Sequence, residues 1–242
     1  MGLSSNSIIH FTKTSEVLKE ILRDNFKIHF CVENVDIISY ASPMVSFCDI
    51  PLSEVKEHIG KYGSYGIGLT KEWAQREKLN PVLYLNKGSA ISKSYKRLYD
   101  SIITAENIAD LTDNEKDMLN VLRYFKNYQA DLVRGGEVIK DYRYSDEREW
   151  RFSPDYEDCN EIALSIDHFK TEKDREEQNA ALSDLRLEFE PNDIKYIIIE
   201  RESEISEFVE VLKKSKGNKY SYHDVERLMT RIITSEQIVT DL

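Results

Sequence analysis

Two glutamates that stand one residue apart, directly before a tryptophan, are the first side chains that could carry out chemistry. Glu147 and Glu149 lie in residues 142–152, which read Y-R-Y-S-D-E-R-E-W-R-F. Alternation along a strand would place both, together with Arg151, on one face. Such a carboxylate could hold a ribose hydroxyl, stabilise a cationic sugar or deprotonate a nucleophile. Taken alone, the stretch favours a charged edge strand whose ion pairs lie in solvent and contribute little.

A histidine and a threonine two positions apart near the N-terminus form a second candidate group. His10 lies between Ile9 and Phe11, and Thr12 would share its face of a strand. These two side chains could make neighbouring hydrogen bonds to one ligand, such as the hydroxyls of a ribose. The local sequence alone favours a core histidine that bonds to a backbone carbonyl. The five histidines show no H-x-x-x-H or H-E-x-x-H spacing, so we expect no metal site.

Two tyrosines on a glycine-rich stretch form a third group. Tyr62 and Tyr65 alternate with glycines in residues 60–68. A tyrosine there could stack on a planar ring, because glycine allows a ligand to approach the backbone closely. Ordinary packing of the tyrosines onto the sheet is the alternative. The glycine spacing matches neither a P-loop nor a dinucleotide-binding G-x-G-x-x-G motif.

Composition narrows the class of protein. The chain has 242 residues and a net charge of −11, so nonspecific binding to a nucleic-acid backbone is not expected. A local basic and aromatic run, residues 93–99, could still contact nucleic acid, or it is a solvated helix face. The three cysteines are widely spaced, and no apolar run approaches 18 residues. We therefore expect a cytoplasmic protein with reduced thiols and no membrane segment.

The elements that must position these side chains mix strands and helices without strict alternation, which predicts an α+β fold. Residues 34–42 are predicted to be a loop. Residues 88–140 are predicted to be a helical insertion within a single domain, 1–242, with an apolar stripe at 91, 95, 98, 99 and 102. Strands are predicted at 7–12, 27–32, 44–50, 67–69, 82–85, 148–152, 162–166 and 193–200, and helices at 15–24, 53–59, 71–78 and 221–230.

Several of these segments together resemble a known family. The segments are I-I-H-F-T (8–12), M-V-S-F-C-D-I-P-L (44–52), Y-G-S-Y-G-I-G-L-T-K-E-W (62–73) and D-E-R-E-W-R-F (146–152). They look like the AbiGi family of bacterial abortive phage resistance proteins, which are often described as antitoxins. The resemblance covers nearly the whole chain. It implies a role in antiviral defence and a partner that is a toxin or a phage protein.

A more distant resemblance concerns mechanism. An H-x-T on the first strand, followed by a helix, is similar to the opening of ADP-ribosyltransferases, including the DarT-type enzymes that modify DNA. This resemblance implies an ADP-ribosyltransferase-like core with a mixed or antiparallel sheet, and NAD as a substrate. His10 and Thr12 would then hold a ribose, and Tyr62 or Tyr65 would stack on nicotinamide. Glu149 would be catalytic, with Glu147 beside it.

Two functions follow from these resemblances. The first hypothesis is an ADP-ribosyltransferase that acts in phage defence and transfers ADP-ribose from NAD to a protein, DNA or RNA acceptor. The departing nicotinamide would leave a cationic sugar, which an anionic Glu149 would stabilise. The alternative is a non-enzymatic antitoxin or phage sensor that acts by protein contact. The residues leave both open.

Overall fold

The computed structural model describes residues 5–36, 38–102, 110–134, 136–159, 163–217 and 220–241. Contacts divide the chain into two compact units. The first unit contains residues 1–27, 46–79 and 186–242, and the second contains residues 28–45 and 80–185. The single domain with an insertion over 88–140 stays a prediction, and the second unit extends beyond those residues.

The described residues form short strands and helices throughout. In chain order the strands are β1 (Ser7–Thr12), β2 (Phe26–Lys27), β3 (His29–Val35), β4 (Ile38–Cys48), β5 (Tyr65–Thr70), β6 (Asn80–Pro81), β7 (Leu83–Leu85), β8 (Phe125–Asn127), β9 (Ala130–Arg134), β10 (Glu137–Tyr142), β11 (Glu149–Phe152), β12 (Leu164–Ser165), β13 (Arg186–Leu187), β14 (Ile194–Ile199) and β15 (Ile232–Thr234). The helices are α1 (Ser15–Asp24), α2 (Lys56–Tyr62), α3 (Lys71–Arg76), α4 (Ala90–Ile102), α5 (Asp113–Leu122), α6 (Glu172–Ala180), α7 (Ile205–Lys216), α8 (Tyr222–Met229) and α9 (Ser235–Asp241).

The strand pairs within these ranges are mostly antiparallel, and β7–β8 and β14–β15 are parallel. The predicted α+β class is therefore confirmed. An ADP-ribosyltransferase-like arrangement of the core stays a prediction. None of the helices in the described ranges has the length and hydrophobicity needed to span a membrane.

The first unit is built on a sheet with the order β15–β14–β5–β1, and β1 then meets the end of β4. β1 pairs with β5 along its whole length, from Ser7 opposite Thr70 to Thr12 opposite Tyr65. Ile8 and Ile9 are neighbours in sequence and point to opposite faces, yet both are buried. This strand is therefore covered on both faces, which fixes the backbone that carries His10 and Thr12.

Helix α1 follows β1 as the sequence predicts. The Thr14 hydroxyl accepts a hydrogen bond from the Val17 N–H, which supplies a partner for one of the unpaired amides of the first turn. Leu18, Ile21 and Leu22 are buried on one stripe. Burial of each such side chain contributes about 1.5–3 kcal/mol, so the apolar stripe holds the helix more firmly than its propensity does.

In the second unit, β3 and β4 form a hairpin in place of the predicted loop over 34–42. They pair from His29 opposite Met44 to Val35 opposite Ile38. The prediction was wrong because proline favours the start or the edge of a strand, whereas β4 runs through Pro43. Pro43 lies opposite Phe30, whose N–H points away from β4 and donates to Asn179 Oδ1 at 2.8 Å. The two residues therefore form a pair without ladder hydrogen bonds, and the missing proline N–H removes no bond to β3.

The predicted insertion is helical only in its first part. Helix α5 begins with a capping box at Thr112 and Glu115, and it ends at Leu122. Residue 125 continues the helical spacing of apolar residues, which made the helix look longer. Phe125 instead pairs in parallel with Leu83 and packs against the Tyr95 ring at 4.5 Å. A strand and the β9–β10 hairpin therefore follow the two helices.

Near the C-terminal end of the second unit, the predicted strand over 162–166 is observed only at Leu164–Ser165. Residue 162 lies outside the described residues. The charged segment after it forms α6, which begins with a capping box at Thr171 and Asp174. Most of its side chains are exposed, as is typical of a highly charged helix.

Candidate functional site

Strand β11 carries the first predicted group into the interior of the second unit. Glu149 and Arg151 share one face, as the alternation predicts, and their exposed fractions are 3% and 0%. Trp150 and Phe152 are only partly buried on the other face. The expectation of an exposed edge ladder is therefore wrong. Glu147 is also buried, but it lies in a short 3₁₀ helix before the strand and not on the strand itself.

Both oxygens of the Glu149 carboxylate contact cations. Lys126 Nζ lies 2.6 Å from Oε2. Arg151 approaches Oε1 with Nε at 2.9 Å and Nη2 at 2.8 Å. Such short contacts are typical of charge-assisted hydrogen bonds between ionised groups. Glu149 is thus the centre of an ion network and not a lone carboxylate.

Two further carboxylates complete this network. Arg151 Nη2 also lies 2.8 Å from Glu33 Oε1, and Lys126 Nζ lies 3.7 Å from Glu147 Oε2. Tyr142 Oη donates a hydrogen bond of 3.0 Å to Glu147 Oε1. We name this set the charge cluster, and its members are Glu33, Lys126, Glu147, Glu149 and Arg151.

The charge cluster keeps its two cations protonated. Burial acts to lower the pKa of Lys126, but Glu149, Glu33 and Glu147 oppose it and raise the pKa above its ordinary value. Burial also acts to lower the pKa of Arg151, but Glu149 and Glu33 outweigh it, so this pKa too is raised. Removing one member of such a network leaves a buried charge without compensation, which is strongly destabilising.

Backbone contacts fix the position of β11 around these charges. The Glu149 N–H donates to Tyr84 Oη at 2.8 Å. The Arg151 guanidinium donates to the Arg123 carbonyl at the end of α5. Lys126 Nζ lies 5.2 Å from the centre of the Tyr144 ring. The sequence did not reveal Lys126 or Glu33 as members of this network. Lys126 lies in the predicted helical insertion, and Glu33 lies between the predicted strand 27–32 and the predicted loop 34–42.

His10 lies in the first unit and has the environment of a core histidine. Its Nδ1 lies 2.8 Å from the Ser46 carbonyl, so this nitrogen carries the proton and donates it. Phe26 and Phe47 pack against the ring at 5.3 and 5.6 Å. Burial lowers the pKa of His10, and the bond to Ser46 only partly offsets this. The imidazole is therefore neutral, and Nε2 is left as an acceptor.

The two predicted tyrosines have different surroundings. Tyr65 is buried, its ring stacks on Phe208, and its hydroxyl lies 2.7 Å from Glu204 Oε1 and 3.2 Å from Glu200 Oε2. Burial, together with these carboxylates, raises its pKa. Tyr62 ends α2 and remains partly exposed beside the His58 ring. Tyr65 thus packs within its unit, and Tyr62 is the more accessible of the two.

The glycines near these tyrosines accommodate neighbouring strands. Gly63 has a φ of +127°, and a Cβ there would lie 2.1 Å from the Thr12 carbonyl oxygen. A Cβ on Gly68 would lie 2.8 Å from the Tyr196 ring. Both glycines are therefore required by close approach of the chain to itself. Their presence needs no ligand.

The predicted site residues fall into two groups. His10, Thr12, Tyr62 and Tyr65 belong to the first unit, where Thr12 faces Tyr65 across β1 and β5. Glu147 and Glu149 belong to the second unit, where both contact Lys126. A single NAD cleft that unites the two groups stays a prediction. No set of three or more His, Cys, Asp or Glu side chains in the described ranges could hold a metal ion.

The basic run at residues 93–99 lies on α4. Its Tyr95 side chain is buried, whereas Lys93, Lys96 and Arg97 are exposed. Lys96 pairs with Asp100 one turn later. Tyr95 is thus unavailable for stacking on a base, and a nucleic-acid acceptor stays a prediction.

Similarity to known proteins was found at the level of sequence. Residues 15–200 match a family described as "Putative abortive phage resistance protein AbiGi, antitoxin". A relative from Lactococcus lactis subsp. cremoris, named abortive phage resistance protein AbiGi, is 26% identical over 235 residues. That match covers 86% of this chain and 92% of the relative. No solved structure matches the chain.

Proposed function

Because this chain belongs to the AbiGi family of abortive phage resistance proteins, we propose that it is an antitoxin that neutralises a toxin protein by direct contact. The observation that carries this proposal is the state of Glu149. The carboxylate expected to be catalytic is buried and contacts two cations. This geometry favours the contact mechanism over ADP-ribose transfer.

The physical argument concerns the charge that develops when NAD is cleaved. A catalytic carboxylate must lie against the sugar as it becomes cationic, because only interactions that strengthen in the transition state accelerate the reaction. Glu149 already neutralises Lys126 and Arg151. Turning it towards a substrate would leave those two cations with fewer partners in a buried position, at a cost of several kcal/mol.

ADP-ribose transfer remains the second candidate, and one observation favours it. His10 is neutral and only half-buried, its Nε2 can accept a hydrogen bond, and Thr12 is half-buried on the same face of β1. This pair could hold the hydroxyls of a ribose. The acceptor of ADP-ribose would be a protein, DNA or RNA.

Expression in a bacterial host, followed by an NAD assay, separates the two candidates. Under the contact mechanism, the wild-type chain expressed alone does not slow growth, and it suppresses the toxicity of its co-expressed toxin. His10→Gln and Tyr62→Phe retain this suppression, provided that circular dichroism shows both variants folded. The purified protein leaves NAD undiminished and labels no protein, DNA or RNA.

The opposite results would overturn the contact mechanism. NAD consumption by the wild-type protein that disappears in His10→Gln would establish the enzymatic candidate. Loss of toxin suppression in folded His10→Gln would also favour the enzymatic candidate.

A further inference from the structure

Helices α4 and α5 of the second unit form the walls of an open, largely apolar groove of about 430 Å³. The Tyr95 hydroxyl donates to the Met118 carbonyl and so joins the two helices at its floor. We call this feature the α4–α5 groove, and its lining residues are Tyr95, Leu98, Ile102, Asn114, Asp117, Met118 and Val121.

The walls of the groove leave large apolar side chains in solvent. Leu98 is 50% exposed and Val121 is 51% exposed, on opposite sides of the groove. Ile91 is also exposed and lies one turn before Tyr95 on the same stripe of α4. The grouping of these exposed side chains around one groove distinguishes them from single exposed apolar residues, which need no explanation.

We infer that the α4–α5 groove binds an amphipathic helix of the toxin, which places apolar side chains in the groove and basic side chains beside Asp117. This inference rests on the proposed contact mechanism and identifies the surface and the partner segment. A helix that inserts apolar residues at i, i+3, i+4 and i+7 into a hydrophobic groove is a recurrent mode of recognition.

The dimensions of the groove suit a helix. Its lining runs from Tyr95 to Ile102 on α4 and from Asn114 to Val121 on α5. Each span covers seven residue steps, which is two helical turns or about 10 Å. A third helix could therefore contact both walls over two turns. The half-exposed walls favour this occupant, because a small ligand would gain more from an enclosed cavity.

The charges around the groove select a basic partner. Asp117 lines the groove, is exposed, and forms no ion pair with another described residue. The nearby Asp113 is fully exposed and meets Lys116 only at 3.8 Å. Lys93 and Arg97 are about half a helical turn away from Tyr95 around α4, so they face away from the groove. With a net charge of −11 on the chain, a basic helix is also favoured during the approach.

A peptide of known sequence tests the groove without the toxin. The probe is a synthetic 16-residue helix with leucines at i, i+3, i+4 and i+7 and lysines flanking them. A matched peptide carries glutamates in place of the lysines. Fluorescence anisotropy with the full-length protein should show at least tenfold tighter binding of the lysine peptide. Leu98→Glu and Val121→Glu should each weaken that binding tenfold or more, and Asp117→Lys should reverse the preference between the two peptides.

Val133→Glu is the matched control. Val133 lies on β9, outside the groove, and is 68% exposed. It therefore receives the same new charge without disturbing a core, and peptide binding should be unchanged. Equal affinity for the lysine and glutamate peptides, or equal effects of Val133→Glu and Leu98→Glu, would overturn the inference.

The toxin itself provides the second arm of the test. Calorimetry with the purified toxin should show binding to wild type and to Val133→Glu, and at least tenfold weaker binding to folded Leu98→Glu. If Leu98→Glu binds as tightly as wild type, the groove is not the docking site, although contact antitoxin action still stands. If the toxin does not bind the wild-type chain at all, the proposed contact mechanism fails, and the inference about its docking site fails with it.

Discussion

Lys126 Nζ lies 2.6 Å from Glu149 Oε2, and this contact joins β8 to β11 within the second unit. Both side chains are largely buried, with Arg151 on the other side of the carboxylate. Burial disfavours both cations, but the attraction of Glu149 and Glu33 outweighs it and raises the pKa of Lys126 and of Arg151. The position of β11 therefore depends on Glu149 whether or not the residue has any role in chemistry.

Replacement of Glu149 by alanine should destabilise the protein by about 3–5 kcal/mol, because Lys126 and Arg151 would remain buried without their shared partner. Urea denaturation of the purified variant measures this loss in the free energy of unfolding. A purely catalytic glutamate would behave differently, since its removal would abolish activity while the fold survived.

Glu137→Ala is the matched control for that measurement. Glu137 lies on β10 and is exposed, so its removal should change the free energy of unfolding by less than about 0.5 kcal/mol. If Glu149→Ala were as stable as Glu137→Ala, the structural role of the charge cluster would be wrong.

Two glycines three residues apart should respond to alanine in opposite directions. Gly60 lies inside α2, where an added Cβ meets nothing within 4 Å in the described part of the chain. Gly60→Ala should therefore stabilise the protein by about 0.5–1 kcal/mol. At Gly63 the φ is positive, and a Cβ would overlap the Thr12 carbonyl. Gly63→Ala should thus destabilise it by more than about 1 kcal/mol. Melting temperatures of the two variants, measured side by side, should move apart, and a shift of both in one direction would contradict the prediction.

Local signals in the sequence predicted the elements that depend on neighbouring residues. Strand β1 and helix α1 both have the predicted bounds, and the Thr14 side chain caps α1. Contacts between distant residues were not accessible in the same way. The continuation of β4 through Pro43 was missed, because the sequence does not show that Pro43 lies opposite Phe30, whose N–H turns away to Asn179. Phe125 fitted a helical stripe, because its pairing with Leu83 is long-range.

The candidate site was predictable to a similar extent. Alternation correctly placed Glu149 and Arg151 on one face, and the local sequence around His10 favoured the backbone carbonyl that it meets. Nothing near Glu149 in sequence indicates Lys126, which pairs with it, or Glu33, which pairs with Arg151. An exposed ladder of ion pairs and a buried ion network have the same local sequence pattern. Only the structure therefore shows that Glu149 and Arg151 are buried.

Asn25 occupies a backbone conformation that suits glycine. It follows α1 with φ 66° and ψ −178°, a region that is populated almost exclusively by glycine. Its side-chain Oδ1 is buried and has no hydrogen-bond partner among the described residues. Asn25→Gly should remove both penalties and stabilise the protein by about 1 kcal/mol or more. Asn25→Ala, which removes the amide but retains the strain, is the control. Thermal unfolding should rank the glycine variant above the alanine variant, and the reverse order would disprove the strain.

His10 should make the stability of the protein depend on pH near neutrality. Burial lowers the pKa of the folded histidine below its ordinary value of 6.5. Below that value the unfolded chain binds a proton that folded His10 does not bind, so acidification favours unfolding. The contribution of neutral His10 is complete above about pH 6.5 and decreases as the pH falls towards the pKa of the folded state. The decrease is at most about 1.4 kcal/mol per pH unit.

Urea denaturation at pH 7.5, 6.5 and 5.5 should show this slope in wild type and in His223→Gln, whose histidine is exposed. The slope should be smaller in His10→Gln, because glutamine takes up no proton. Equal slopes in all three proteins would mean that burial against Phe26 and Phe47 does not hold His10 neutral.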